Sequence, residues 1–126
     1  MRWRIVLVAG LALVLGACGG TDEGGGEPVD GEALFSQTVL EGRAGCTTCH
    51  SLQEGVALVG PSLAGVGARA GDRVPGLSGK EYLRQSILDP DAYVVEPYSA
   101  GVMQSWDGIL SDAQVDALVS YLLSLQ

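Results

Sequence analysis

The sequence predicts one small all-α domain. Three segments repeat apolar residues with a helical period, no segment alternates as a strand does, and Gly- and Pro-rich loops of roughly twenty residues separate the helices. A chain of 126 residues excludes a multidomain enzyme. With 15 acidic and 7 basic side chains the formal net charge is −8, which argues against nucleic acid as a partner because phosphate binding needs clustered Lys and Arg.

The first segment has the order of a secretory signal. Arg2 and Arg4 precede an unbroken run of apolar residues and glycine over residues 5–17. A transmembrane helix needs about 20 consecutive apolar residues, so this run is short for a membrane span and an uncleaved anchor is the weaker alternative. We therefore expect residues 1–17 to be a signal peptide.

The segment that follows the signal predicts a lipid anchor. Leu15-Gly16-Ala17-Cys18 resembles the lipobox of bacterial lipoproteins, in which the Cys is acylated and becomes the mature N-terminus. Two or three acyl chains on Cys18 would hold the protein durably to a bilayer. Residues 18–29 are rich in Gly and acidic residues and predict a flexible tether, so we expect the folded domain to span residues 30–126.

Capping residues and apolar spacing predict the three helices. In the first, Asp30 is the N-cap, Gly42 is the stop, and the inward positions are Leu34, Phe35, Thr38 and Val39. The second begins at a capping box over residues 78–81 and ends before Pro90, with Tyr82, Leu83 and Ile87 inward. The third begins at a capping box over residues 111–114 and has one apolar face, formed by Val115, Leu118, Val119, Leu122 and Leu123.

Cys46-Thr47-Thr48-Cys49-His50 is a C-x-x-C-H motif, the signature of covalent c-type haem attachment. Two thiols three residues apart on one helical turn project from the same side, so both can form thioethers with the two vinyl groups at one edge of a porphyrin. His50 then serves as the proximal iron ligand. A bound haem also supplies the large apolar body that three short helices with long loops need as a core.

Two other interpretations of the motif are weaker. A zinc site usually has four Cys or His ligands, and this chain has one His and three Cys, of which Cys18 is assigned to the lipid. A redox-active dithiol is expected beside a βαβ pattern, which the sequence lacks.

Met103 is the predicted second axial ligand. His50 is the only histidine, and Met103 is the only methionine besides Met1. Met103 lies in a loop between the second and third helices, from which its thioether can reach a porphyrin. A methionine that only fills a gap in the core is the alternative interpretation, and Lys80, the only lysine, is a distant alternative as ligand.

These features together resemble a class I c-type cytochrome carried on a lipoprotein anchor. The resemblance covers about residues 30–126, and its matching elements are Gly31, Phe35, residues 46–50, residues 60–63, Met103 and residues 110–125. It implies the cytochrome c fold, with three to five short helices and long loops around one haem c attached through Cys46 and Cys49.

The resemblance also implies roles for single residues. Gly31 and Phe35 would meet Tyr121 where the first and last helices cross. Pro61 would present its carbonyl to the ring N–H of His50, and such a bond orients an imidazole ligand. Leu63 would pack on the haem and Arg69 would neutralise a propionate. The family often has Pro after its ligand Met; Gln104 stands there in this chain and predicts a less rigid ligand loop.

With both axial positions filled, the expected function is transfer of single electrons between respiratory-chain partners. The expected partners are a respiratory complex or another cytochrome, with the membrane contacted through the lipid on Cys18. Two alternatives remain open: a fixed cytochrome subunit of a larger oxidoreductase, or a small-ligand sensor or weak peroxidase if Met103 is not a stable ligand. The signal, the lipid and the haem attachment all predict an extracytoplasmic location.

Overall fold

A computed structural model describes residues 27–126. The predicted signal peptide, Cys18 and residues 19–26 of the tether lie outside the described residues. The described part contains five short α-helices and one two-stranded hairpin. None of the helices in residues 27–126 has the length and apolar character needed to cross a membrane.

Helix α1 spans Gly31–Phe35, and the Asp30 carboxylate caps it by accepting a hydrogen bond from the Ala33 amide at 3.0 Å. The prediction that this helix continues to Gly42 was wrong. The chain instead forms a hairpin, with β1 at Val39–Leu40 antiparallel to β2 at Arg43–Ala44.

A tight turn explains why the predicted first helix is shorter. Glu41 and Gly42 have positive φ angles of 48° and 73°, which is the requirement of a type I′ hairpin turn. Gly42 therefore turns a two-residue-per-strand hairpin rather than ending a helix, within a fold that is otherwise helical as predicted. Thr38 and Val39, predicted to face inward, are exposed, whereas Leu40 is buried.

Four more helices follow. Helix α2 spans Cys46–Cys49, α3 spans Val66–Arg69, α4 spans Gly79–Leu88 and α5 spans Asp112–Ser124; short 3₁₀ helices lie at Ala70–Asp72 and Pro90–Ala92. Both predicted capping boxes are present, at the N-termini of α4 and α5. Helix α3 lies inside a predicted loop. At four residues it is too short to show a helical period, and its backbone is held to the chain end by a 2.8 Å bond from the Gly67 amide to the Leu125 carbonyl.

Helix α5 is the centre of the core and packs against α1, α3 and α4. At the crossing of α1 and α5, Gly31 is buried and the rings of Phe35 and Tyr121 lie 5.5 Å apart, as the sequence predicts. On another side of α5, Arg84 of α4 forms ion pairs of 2.5 Å with Asp112 and 2.9 Å with Asp116. Through these contacts α1 and α4 pack against α5, beside a central cavity.

Candidate haem site

A cavity of about 520 Å³ lies among the helices and is lined mainly by apolar side chains. Helices α1, α4 and α5 supply one part of its wall through Phe35, Leu83 and Leu118. The end of the hairpin, helix α2 with the loop that follows it, Val66 of α3 and the loop before α5 supply the rest. The volume is in the range of cofactor pockets, which are typically about 300–1,000 Å³ and mostly apolar.

Cys46 and Cys49 are the first and last residues of α2, and both line the cavity as free thiols. Burial raises the pKa of the Cys46 thiol; a backbone hydrogen bond opposes this shift and the neighbouring Cys49 adds to it. In reactive dithiols, by contrast, the environment lowers the pKa of the attacking cysteine. The environment of Cys46 therefore does not favour the dithiol interpretation.

The His50 ring also lines the cavity, and the chain after α2 holds its orientation. Nδ1 of His50 lies 2.9 Å from the carbonyl oxygen of Pro61, the contact expected from the sequence. A proton on Nδ1 is donated to this carbonyl, so Nε2 keeps its lone pair for a metal. The Gly60 amide donates to the Cys49 carbonyl at 2.8 Å, which keeps this loop against the ring.

Met103 lines the same cavity as His50 and is 37% exposed. The structure therefore brings together the four residues expected to attach and ligate haem, although His50 and Met103 are far apart in the sequence. Around Met103 the loop is tied by polar contacts: the Gly101 amide donates to the Asp91 carboxylate and the Gln104 side chain donates to the Ala44 carbonyl, each at 2.8 Å. These contacts tie the loop on both sides of Met103, and the expectation of a less rigid ligand loop stays a prediction.

The remaining predicted site residues lie in different places. Leu63 lines the cavity. Arg69 does not: its guanidinium donates to the carbonyl oxygens of Ala64 and Ser62, and it lines a separate surface hollow. A contact between Arg69 and a haem propionate stays a prediction. The position of Arg69 outside the cavity wall does not support it. Lys80 is exposed at the start of α4 and is not part of the cavity wall.

Sequence reasoning predicted Phe35 and Tyr82 to face inward but missed three aromatic residues of the wall, Tyr93, Tyr98 and Trp106. Trp106 is 4% exposed, and it lines the cavity together with Tyr82, Tyr93 and Tyr98. A signal was available, because most of the few aromatic residues of this chain lie within residues 82–106. Such a concentration in a loop region indicates a large apolar surface that the loop must cover.

The cavity fits a porphyrin attached through thioethers. Its wall is apolar, two thiols lie on one helical turn, and an oriented imidazole and a thioether line the same space. This set of groups defines a haem protein of the covalently attached class.

Comparison with known proteins agrees with this class. A sequence model of the family described as cytochrome c matches residues 28–126, which is most of the chain. The chain belongs to the cytochrome c family, and its domain binds haem c covalently through Cys46 and Cys49 as an electron-transfer protein. A search of curated proteins found no match.

Proposed function

We propose that this cytochrome carries single electrons between respiratory-chain partners while a lipid on Cys18 anchors it to the outer side of a membrane. The observation that carries the electron-transfer part is the convergence of His50 and Met103 on one cavity beside the two attachment cysteines. The anchor rests on the lipobox-like residues 15–18, which lie outside the described part of the chain.

His50 and Met103 are the proposed axial ligands. A haem held by the His50 imidazole and the Met103 thioether would supply one-electron chemistry at iron. The Pro61 carbonyl orients His50 and raises the basicity of Nε2. Ligation by Met103 and the apolar wall would both favour ferrous iron, because a soft ligand and a low dielectric disfavour the additional charge of the ferric state.

The mouth of the cavity is the proposed docking face for a redox partner. Val59, Tyr93 and Val102 line the cavity and are 56%, 38% and 56% exposed. Apolar groups at the mouth allow close approach of a partner, which exposed charges would oppose. Because the chain carries 15 acidic and 7 basic residues, a partner with a basic face would be attracted at low ionic strength.

The axial ligands are tested by the absorption spectrum of the holoprotein and of Met103→Ala. We expect the wild type to be low-spin, to show the methionine–ferric charge-transfer band and to bind no carbon monoxide when ferrous. Met103→Ala should lose the band and bind carbon monoxide. Leu58→Ala, a change of an exposed apolar residue outside the cavity wall, is the control and should keep the band.

Other results of this experiment would change the proposal. High-spin wild-type iron that binds carbon monoxide readily would contradict electron transfer and favour a small-ligand sensor or weak peroxidase. A band that survives Met103→Ala would mean that another side chain is the ligand.

The anchor and the partners need a separate test in the native membrane. We expect the full chain to require detergent for extraction and the Cys18→Ala variant to be released without it. Release of the wild type by salt alone would contradict a lipid anchor. Stable co-purification with other redox subunits in mild detergent would favour the fixed-subunit alternative over an independent carrier.

A further inference from the structure

We infer that Gln104 is a positioning residue that keeps Met103 on the wall of the haem cavity, through a side-chain hydrogen bond to the strand that leads into the attachment motif. This inference rests on the proposed function, in which Met103 is the second axial ligand. It adds a residue that sets how firmly this ligand is held.

The bond joins the two segments that carry the ligands. Nε2 of Gln104 donates to the carbonyl oxygen of Ala44 at 2.8 Å, across 60 positions of sequence. Gln104 follows Met103 directly, and Ala44 in β2 lies two residues before Cys46. The Met103 loop is thereby linked to the chain that carries Cys46, Cys49 and His50.

Both ends of the bond are well placed to hold Met103. Ala44, Met103 and Gln104 all line the cavity, and Gln104 is half-buried. On the acceptor side, the hairpin pairs Ala44 with Val39 and the adjacent Gly45 amide donates to Thr38 at 2.8 Å, so the Ala44 carbonyl belongs to a fixed element.

The other contacts of the loop lie on both sides of Met103 and lead elsewhere. Before it, the Gly101 amide donates to the Asp91 carboxylate at 2.8 Å, beyond the end of α4. Two more contacts follow Met103. Ser105 Oγ donates to the Leu88 carbonyl at 2.5 Å, and the Trp106 amide donates to the Ile87 carbonyl at 3.1 Å. Both attach the loop to the end of α4. Gln104 makes the contact that attaches it to the side of the cavity where α2 begins, and Met103 is the residue next to that contact.

Ligand competition in the ferric holoprotein tests this inference. Added imidazole competes with a methionine ligand for the iron. The apparent dissociation constant of imidazole becomes lower when a larger fraction of the protein has Met103 released. Gln104→Ala removes the bond, and Gln104→Glu keeps the size of the side chain but replaces the donor by an acceptor. For both we expect an apparent dissociation constant about fivefold lower than in the wild type, as loss of one neutral hydrogen bond of about 1 kcal/mol implies.

Gln85→Ala is the matched control. Gln85 is also half-buried, but it lies on α4 outside the cavity wall, so its loss should leave the imidazole titration within about twofold of the wild type. Loss of the methionine charge-transfer band is followed in every titration, and Gln104→Glu provides the comparison if Gln104→Ala fails to fold.

The outcomes separate this inference from the proposed function. If the band is present, depends on Met103 and titrates equally in the wild type and both Gln104 variants, the role of Gln104 is overturned and the axial ligands stand. A wild type without a Met103-dependent band overturns both. A lower dissociation constant in the Gln104 variants and in the Gln85 control alike shows general destabilisation and overturns the role of Gln104.

Discussion

At Gly60 the backbone approaches the imidazole of His50 closely. A Cβ atom at residue 60 would lie 2.9 Å from Nδ1 and 3.1 Å from Nε2 of His50, closer than side chains normally pack. The same ring makes the 2.9 Å contact with the Pro61 carbonyl. The absence of a side chain at residue 60 is thus part of what sets the direction of the proximal ligand.

We therefore expect Gly60→Ala to displace the His50 ring or the loop that carries Pro61. Overpacking of this kind costs about 1–3 kcal/mol, which thermal unfolding of the holoprotein would measure. Nitrogen chemical shifts of the His50 ring should also change, because the Nδ1 hydrogen bond lengthens. Gly71→Ala is the control, since a Cβ there has only one neighbour, at 3.7 Å. Equal stability and equal ring shifts in the two variants would contradict the steric role of Gly60.

The capping box of α4 also acts at the scale of single residues. The Ser78 hydroxyl and amide both donate to the Glu81 carboxylate, at 2.6 and 2.7 Å. These hydrogen bonds lower the pKa of Glu81 below its usual value. Because the folded pKa is lowered, the stabilisation by this carboxylate is present above the ordinary pKa of Glu and is lost as the pH falls through the lowered value.

We expect Ser78→Ala to raise the pKa of Glu81 toward its ordinary value, because the hydroxyl donor is removed. A carboxyl-carbon NMR titration would measure this shift. Ser111→Ala removes the equivalent cap from α5, where the partner is the neutral Gln114, and should leave the Glu81 titration unchanged. A Glu81 titration that is the same in wild type and Ser78→Ala would show that the cap does not set this pKa.

At the scale of elements, the crossing of α1 and α5 depends on a small residue. A Cβ at Gly31 would meet the carbonyl oxygen of Ala117 and lie 3.0 Å from Cβ of Tyr121. The close approach lets Phe35 and Tyr121 bring their rings to 5.5 Å, an arrangement worth about 0.5–1.5 kcal/mol beyond burial.

Gly31→Ala should therefore force α1 away from α5. We expect a loss of about 1–3 kcal/mol in unfolding free energy, measured by denaturant titration of the holoprotein, with reduced hydrogen-exchange protection in α1. Gly71→Ala should be neutral or slightly stabilising, since a Gly to Ala change at a compatible backbone reduces the entropy of the unfolded chain. A neutral Gly31→Ala would mean that the helices can separate without cost.

At the scale of the whole molecule, the haem cavity is lined by many apolar side chains that no group within residues 27–126 covers. Without haem, the apolar side chains that line this cavity of about 520 Å³ would face water, and the free energy of their burial would be lost. The total stability of a small domain is about 5–15 kcal/mol. The fold and the haem are therefore expected to depend on each other.

The Cys46→Ser, Cys49→Ser double variant tests this dependence by preventing covalent attachment. We expect it to lose the cooperative thermal transition followed by circular dichroism. Thr48→Ser also changes the motif but keeps both thiols and the hydroxyl that donates to Thr38, and it should unfold as the wild type does. A double variant that unfolds cooperatively at the wild-type temperature without haem would contradict the dependence.

The sequence by itself determined the features that depend on neighbouring residues. Cys46, Cys49 and His50 were predictable because attachment needs a fixed local spacing, and α4 and α5 because each has a capping box followed by an apolar face. Met103 was predictable from composition, because the chain has one histidine and no methionine other than Met103 and Met1.

Tertiary structure decided the features that depend on distant residues. The hairpin ended α1 early because Glu41 and Gly42 turn the chain, which helical spacing did not reveal. Arg69 donates hydrogen bonds to two backbone carbonyls rather than lining the cavity. Gln104 links the Met103 loop to a carbonyl 60 residues away. Local propensity carries no information about such contacts, because they form only when the packing of the helices brings the two segments together.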